Sequence, residues 1–243
     1  MTKCSNCQIC KHDFETYYFL IFPLEEIRKF KIQELSNKNM IINQNVMNMN
    51  MGQNMIFMNT GQNLMNMNLD QSLMNMMQMN QQEFQNNLNK IQLLQNNLLD
   101  IFDCFDYNQK IYNFKGEKSS YCELCLCQLP LTYQTKLYTG PEVFILILNQ
   151  EQDDSVKIKL QFYLQINLYN YIEDQSSGCI YDLIGVVTLI DESGSSHFIA
   201  NCKSYVDNKW YRYNDELVTP ATDFNQQVIS NTVPYILFYK KNR

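Results

Sequence analysis

The chain has 243 residues, 45% of them hydrophobic, enough for one large domain or two small ones with a real core. A formal net charge of -6 argues against a nucleic-acid ligand, which selects for a basic face, and suits a neutral or basic protein partner. No apolar run reaches the ~18 residues that span a bilayer, and the first ten residues, with three cysteines and a lysine, do not read as a signal peptide. The expected compartment is cytoplasmic or nuclear, where nine cysteines are expected as thiols or metal ligands rather than disulfides.

From Met1 to about Lys38 the chain opens with Cys4-x-x-Cys7 and continues into FETYYFLIFPL, Phe14 to Leu24. Thr16, Tyr17, Tyr18, Phe19 and Ile21 favour a strand, which Pro23 limits. This predicts a strand leaving a metal knuckle. Residues 39–82 differ in kind, holding twelve of the thirteen methionines among Asn and Gln, with Phe57 as the one aromatic. A Met/Asn repeat offers no stable apolar face, so the expectation is a disordered insertion in a surface loop. A Met-rich copper(I) site or a prion-like assembly tract is the functional alternative. Residues 83–120 are expected to be helical, because Phe84, Leu88, Ile91, Leu94, Leu98 and Ile101 recur at three- and four-residue steps. That pattern predicts one amphipathic helix, or two with a break.

Residues 121–243 read as a β-rich domain. VFILIL from Val143, IYDLIGVVTLI from Ile180, Phe198 to Cys202, Lys209 to Tyr213 and YILFY from Tyr235 are strand candidates. Turn signals separate them at Gly140-Pro141, Ser176-Ser177-Gly178, Glu192-Ser193-Gly194 and Asp207-Asn208. Short spacings and tight turns favour antiparallel pairing.

Cys122-x-x-Cys125 repeats the spacing of Cys4-x-x-Cys7. Each such turn aims two thiolates at one point, and two turns complete a tetrahedral shell for zinc. The alternative is four unliganded thiols. Cys10, His12 and Cys127 lie close by in sequence as substitute ligands. Four thiolates leave no open position for water, so zinc held here would be structural.

His197 stands where a Gly/Ser turn enters the apolar strand Phe198-Ile199-Ala200. A general base needs a second side chain to hold its tautomer. The turn at Asp207-Asn208 would fold Trp210 to Tyr213 back beside Phe198 to Cys202, bringing Asn214 or Asp215 near the imidazole. On residues alone, a histidine at a strand end such as His197 is more often structural or merely exposed than catalytic.

The runs YDLIGVVTL, SGSSHFIANCKSYVDNKWYRYNDELVTP and VPYILFYKK resemble the C-terminal histidine box of the ubiquitin-specific proteases. Tyr121-Cys122-x-x-Cys125 with Pro141 to Leu148 resembles the family's second zinc knuckle and the strand after it. Cys4-x-x-Cys7 with Phe14-Glu15-Thr16 and Phe19 to Leu24 resembles the first. The resemblance implies an α+β, papain-like cysteine protease palm with an antiparallel sheet, zinc-knuckle fingers and no thumb. By the same resemblance His197 matches the general base, Asn214 the residue that orients it and Asp215 the assisting acid. Cys4, Cys7, Cys122 and Cys125 match the zinc ligands. The partner implied is ubiquitin or a ubiquitinated protein, and the reaction is hydrolysis after the terminal Gly-Gly of ubiquitin.

The sequence departs from the family at its nucleophile, since no Gly-x-Thr-Cys-Tyr-x-Asn box is present. Ser196 replaces the Gly that usually precedes the histidine, and Asn149-Gln150 replaces a basic-aromatic pair. Three readings follow. One is the C-terminal part of a cysteine deubiquitinase. The second is a catalytically inactive ubiquitin-binding fragment or pseudoenzyme, and the third an unrelated zinc-knuckle scaffold.

Overall fold

The computed structural model describes residues 2–4, 6–8, 10–59, 67–114, 120–122, 124–129, 131–150, 157–192, 195–224, 228–229 and 233–242. The turn expected at Ser193-Gly194 lies outside them. In chain order come β1 (Thr2–Cys4), β2 (Cys10–Lys11), β3 (Leu20–Pro23), α1 (Leu24–Asn59), α2 (Met67–Gln95), β4 (Leu98–Asp100) and α3 (Ile101–Asn108). Then follow β5 (Ile111–Phe114), β6 (Ser120–Cys122), β7 (Cys127–Leu129), β8 (Leu131–Gln134), β9 (Leu137–Thr139), β10 (Val143–Asn149) and β11 (Lys159–Gln161). The remainder is β12 (Gln165–Asn167), β13 (Ile172–Asp174), β14 (Ile180–Glu192), β15 (Ser195–Lys203), β16 (Trp210–Asn214), β17 (Leu217–Pro220) and β18 (Pro234–Lys241). The class is α+β, with mixed sheets and few helices, none of them among the described residues long and apolar enough to cross a membrane.

The chain divides into two compact units, residues 1–27 with 99–243 and residues 28–98. The first is built on an eight-stranded sheet in the order β17-β16-β15-β14-β18-β10-β3, with β12 also paired to β14. Its pairs are antiparallel except β10 with β3. The strand expected from Phe14 is confined to Leu20–Pro23, because Leu24 already begins α1. Residues 12–19 form no regular structure, and Phe14, Tyr17 and Tyr18 are exposed.

Register sorts the side chains. Leu20 and Phe22, Leu146 and Leu148, Leu237, and Val186 share one buried face. Phe105 of α3 packs edge-on against Phe22 and Phe144 there, with centroids 5.5 and 6.3 Å away. Asp100 caps α3, accepting from the Phe102 amide at 2.9 Å, while Asp103 accepts from the Asp100 amide at 3.0 Å. The opposite face is also apolar, carrying Ile21, Ile145, Ile147, Ile236 and Phe238, with Ile21 more than half exposed. Burial pushes the Tyr181 and Tyr239 phenols far above their ordinary value. Both therefore stay neutral donors, to the carbonyls of Pro141 (3.0 Å) and Tyr163 (2.7 Å). Beside Tyr181, Lys241 Nζ donates to the Gly140 carbonyl at 2.7 Å and to Ser177 Oγ at 2.9 Å.

The second unit holds most of α1 and all of α2. Arg28 donates to the Leu94 carbonyl (3.3 Å) and Asn87 to Asn39 Oδ1 (2.9 Å), so the helices run antiparallel. From Met74 to Gln95 the positions shielded from solvent are Met77, Asn80, Phe84, Asn87, Lys90, Ile91 and Leu94. Setting Lys90 aside, they step by three and four, the seam of a coiled coil. On α1 the matching positions are Leu35, Asn39, Ile42 and Val46. Where it is described, the Met/Asn segment is thus helical rather than the loop its composition suggested, because hydrophobic and Asn side chains at heptad spacing supply a narrow seam. Residues 83–120, expected as helix, hold the end of α2, β4, α3 and β5. Ile111 to Phe114 are drawn into a strand by antiparallel pairing with β8.

Candidate functional site

β15 and β16 are joined through a turn at 205–207 and pair with Tyr213 opposite Ala200. The next step along the ladder puts Asn214 on the same face as His197 and Ile199. Asn214 also closes the β16–β17 hairpin, opposite Leu217, and Asp215 takes the turn with φ 51°, a left-handed position that Asp tolerates. Across this short hairpin His197 Nε2 lies 2.6 Å from Asn214 Oδ1 and 3.8 Å from Asp215 Oδ2. The amide oxygen can only accept. A hydrogen bond across this contact therefore runs from Nε2 to the amide oxygen. The imidazole is about one-third exposed, and the Asp215 side chain is 79% exposed. Ser196 sits in extended strand opposite Asp191, a backbone that does not demand glycine.

Cys202 is the one cysteine on β14, β15 and β16. It lies five residues from His197 on the same strand, hence on the opposite face. Burial pushes its thiol up, away from thiolate character. Cys104 is buried in α3 and Cys179 is buried before β14. None of the three is placed to serve His197.

The cysteine pairs meet at a second centre. Cys4 ends β1 and Cys122 ends β6. In each pair the residue after the second cysteine has positive φ, 60° at Gln8 and 54° at Leu126. Its amide donates back to the first cysteine's carbonyl, Gln8 to Cys4 at 3.1 Å and Leu126 to Cys122 at 2.8 Å. The two knuckles are therefore the same local fold used twice, and the sequence signal for it was the spacing alone. All four Sγ atoms lie within 4.8 Å of one another, a set able to hold a metal ion. Cys4–Cys125 and Cys7–Cys122 are 3.9 and 3.8 Å apart. A tetrahedron with Zn–S bonds of about 2.3 Å has edges of about 3.8 Å. Amides of Cys7 and Asn6 lower the Cys4 thiol to about 7, which favours the thiolate a metal needs. Asn6 Nδ2 donates to Cys125 Sγ at 3.6 Å, an outer contact the spacing did not reveal. Cys10 and His12 fall outside this group, His12 stacking on Phe14 with centroids 6.5 Å apart. The side chain of Cys127 lies outside the described residues.

The sheet thus pairs an imidazole with an amide, and the two knuckles gather four thiols in a set able to hold a metal ion. The family model for ubiquitin carboxyl-terminal hydrolase matches residues 2–239, and the chain belongs to that family. It is similar to ubiquitin carboxyl-terminal hydrolase 12 of Saccharomyces cerevisiae, with 28% identity over 145 residues. That match covers 56% of this chain and 11% of the yeast protein, so the chain spans only a small part of that relative's length. Among solved structures it is similar to a chain of the SAGA Ubp8/Sgf11/Sus1/Sgf73 DUB module bound to ubiquitin aldehyde, at 24% identity and TM-score 0.46. A second, of the SAGA DUB module bound to monoubiquitin, gives 24% and 0.48. Each covers 60% of this chain and 35% of the other.

Proposed function

We propose that this chain carries the base and its orienting partner for a cysteine deubiquitinase that cleaves the bond after the terminal Gly-Gly of ubiquitin. The carrying observation is the 2.6 Å approach of Asn214 Oδ1 to His197 Nε2. Asn214 holds the imidazole with Nδ1 free to take a thiol proton and later return it to the leaving amine. Asp215, 3.8 Å away and largely exposed, favours the imidazolium once it forms. No cysteine on β14, β15 or β16 shares the face of His197, so these strands do not supply the nucleophile. Zinc on Cys4, Cys7, Cys122 and Cys125 would tie the fingers together and supply no chemistry to the reaction. The compartment is one that keeps thiols reduced, cytoplasm or nucleus.

A non-catalytic ubiquitin-binding module is the second reading, favoured by the placement of Cys202 behind the sheet. Both readings are tested on the chain itself, incubated with isotope-labelled ubiquitin and with a ubiquitin probe bearing a thiol-reactive C-terminus. Shifted ubiquitin resonances with no covalent adduct are expected. An adduct at a single cysteine would show a nucleophile within the chain, and unshifted resonances would remove ubiquitin as the partner. Nitrogen NMR of His197 should report a proton on Nε2, and Asn214→Ala should redistribute it between the ring nitrogens. An unchanged tautomer would separate Asn214 from the orienting role.

A further inference from the structure

Two polar groups in the middle of the eight-stranded sheet are enclosed without a partner. Thr188 on β14 is 0% exposed and Asn201 on β15 is 2% exposed. Among the described residues, neither Thr188 Oγ1 nor Asn201 Oδ1 has a hydrogen-bond partner. An enclosed oxygen of this kind is costly unless something bonds to it. Register brings the two together. Thr188 pairs with Ile199 and Val186 with Asn201, so Thr188 and Asn201 are diagonal neighbours on the face that carries His197. Arg212 on β16 stands directly opposite Asn201 and shares that face. Its guanidinium makes no hydrogen bond or ion pair among the described residues. The three groups are chemically complementary: a hydroxyl donates and accepts, an amide oxygen accepts only, and a guanidinium donates only. We propose that Thr188, Asn201 and Arg212 bind an internal water molecule, which donates to Asn201 Oδ1 and accepts from Thr188 and Arg212.

Enclosure and charge select that occupant. With 0% of Thr188 and 2% of Asn201 open to solvent, a larger ligand has no way in. A cation would meet the Arg212 guanidinium, and an anion would meet the acceptor-only Asn201 oxygen. Water is neutral, donates twice and accepts twice. Buried waters make about three hydrogen bonds to groups left without protein partners. Diagonal neighbours on an antiparallel pair stand about 7–8 Å apart. Allowing for the reach of a Thr hydroxyl and an Asn amide, one water with bonds of about 2.8 Å bridges that span. Bound there, it joins β14, β15 and β16 at the Asn201–Arg212 rung, two residues along β16 from Asn214. The inference stands apart from the catalytic reading, because neither His197 nor Asn214 bonds to the water.

The test is oxygen-17 relaxation dispersion on the whole chain, which counts long-lived internal waters, with the thermal midpoint measured alongside. Thr188→Val keeps the shape of the side chain and removes the hydroxyl. It should lose one long-lived water and lower the midpoint, because the water is left one partner short. An unchanged count would overturn the proposal. So would a raised midpoint, since removing a hydroxyl that bonds to nothing relieves a cost and stabilises the fold. Arg212→Met should shorten the water's residence time by about tenfold, the worth of one hydrogen bond. An unchanged residence time would remove Arg212 from the site. Should Thr188→Val fail to fold, the unaltered chain decides. Water-selective proton NMR should show transfer from a bound water to the Thr188 methyl and the Asn201 side-chain amide, and no transfer to either would refute the site.

Discussion

In the eight-stranded sheet Leu146, Leu148, Leu237 and Tyr239 lose all measurable contact with solvent, whereas in the helical unit of residues 28–98 only Leu94, among the described side chains, does so. The hairpin's other buried positions include Lys31 and Asn39, both polar. Lys31 is held by Glu34 at 2.8 Å and Asn39 by Asn87 at 2.9 Å. The sheet is stabilised by wide, non-local apolar burial and the hairpin by a strip one or two side chains wide. Both are built at regular spacing, but a period-two pattern on eight strands buries whole faces. A period near three and a half on two helices buries only a seam.

Four measurements would break or sharpen that contrast. The largest effect should come from loading the four-cysteine centre with zinc and then chelating it. Structural zinc sites in small peptides contribute about 10–16 kcal/mol of binding energy. Hydrogen exchange should then collapse in β1, β2, β6, β7 and β8 while the hairpin amides keep their protection. Next, Leu146→Ala should cost about 2–5 kcal/mol in urea unfolding, because it opens a cavity between β3 and β18. Leu35→Ala in the hairpin should cost less, and equal losses would erase the distinction. Third, Gly140→Ala should cost about 1–3 kcal/mol, since an added Cβ meets the Tyr181 hydroxyl and Ile172. Its thermal midpoint should fall with the sheet's. Smallest, Asn39→Leu alone should cost about 1–2 kcal/mol by stranding the Asn87 amide, and adding Asn87→Leu should recover most of it. A double variant no better than the single would show that the pair does not set the hairpin's stability.

Legibility from the sequence followed the same divide. VFILIL, IYDLIGVVTLI and YILFY read as strands because β-branched and aromatic runs bounded by turn residues have few other uses, and they are β10, β14 and β18. The strand from Phe14 was drawn too long, since aromatic character from Phe14 to Phe19 signals a β-prone surface as readily as a strand. Composition hid the hairpin. Met, Asn and Gln carry little periodic contrast, and the seam at Leu35, Asn39, Ile42 and Val46 becomes visible only beside α2. At the candidate site, a turn and a spacing offered Asn214 or Asp215 as the neighbour of His197, and the family resemblance singled out Asn214. The Asp215 turn, the outward Cys202 and the Asn6 contact to Cys125 could not be read from the sequence.

Local chemistry along the chain offered the candidates: two cysteine pairs, one histidine at a strand mouth, an Asn-Asp step at a hairpin end. Those are properties of neighbouring residues, and neighbours are what a sequence displays. The tertiary structure decided the rest: four sulfurs gathered within 4.8 Å, an amide oxygen 2.6 Å from a ring nitrogen, and a cysteine turned to the wrong face. Each depends on the register between strands distant in sequence, and a slip of one residue would send every such side chain to the opposite side.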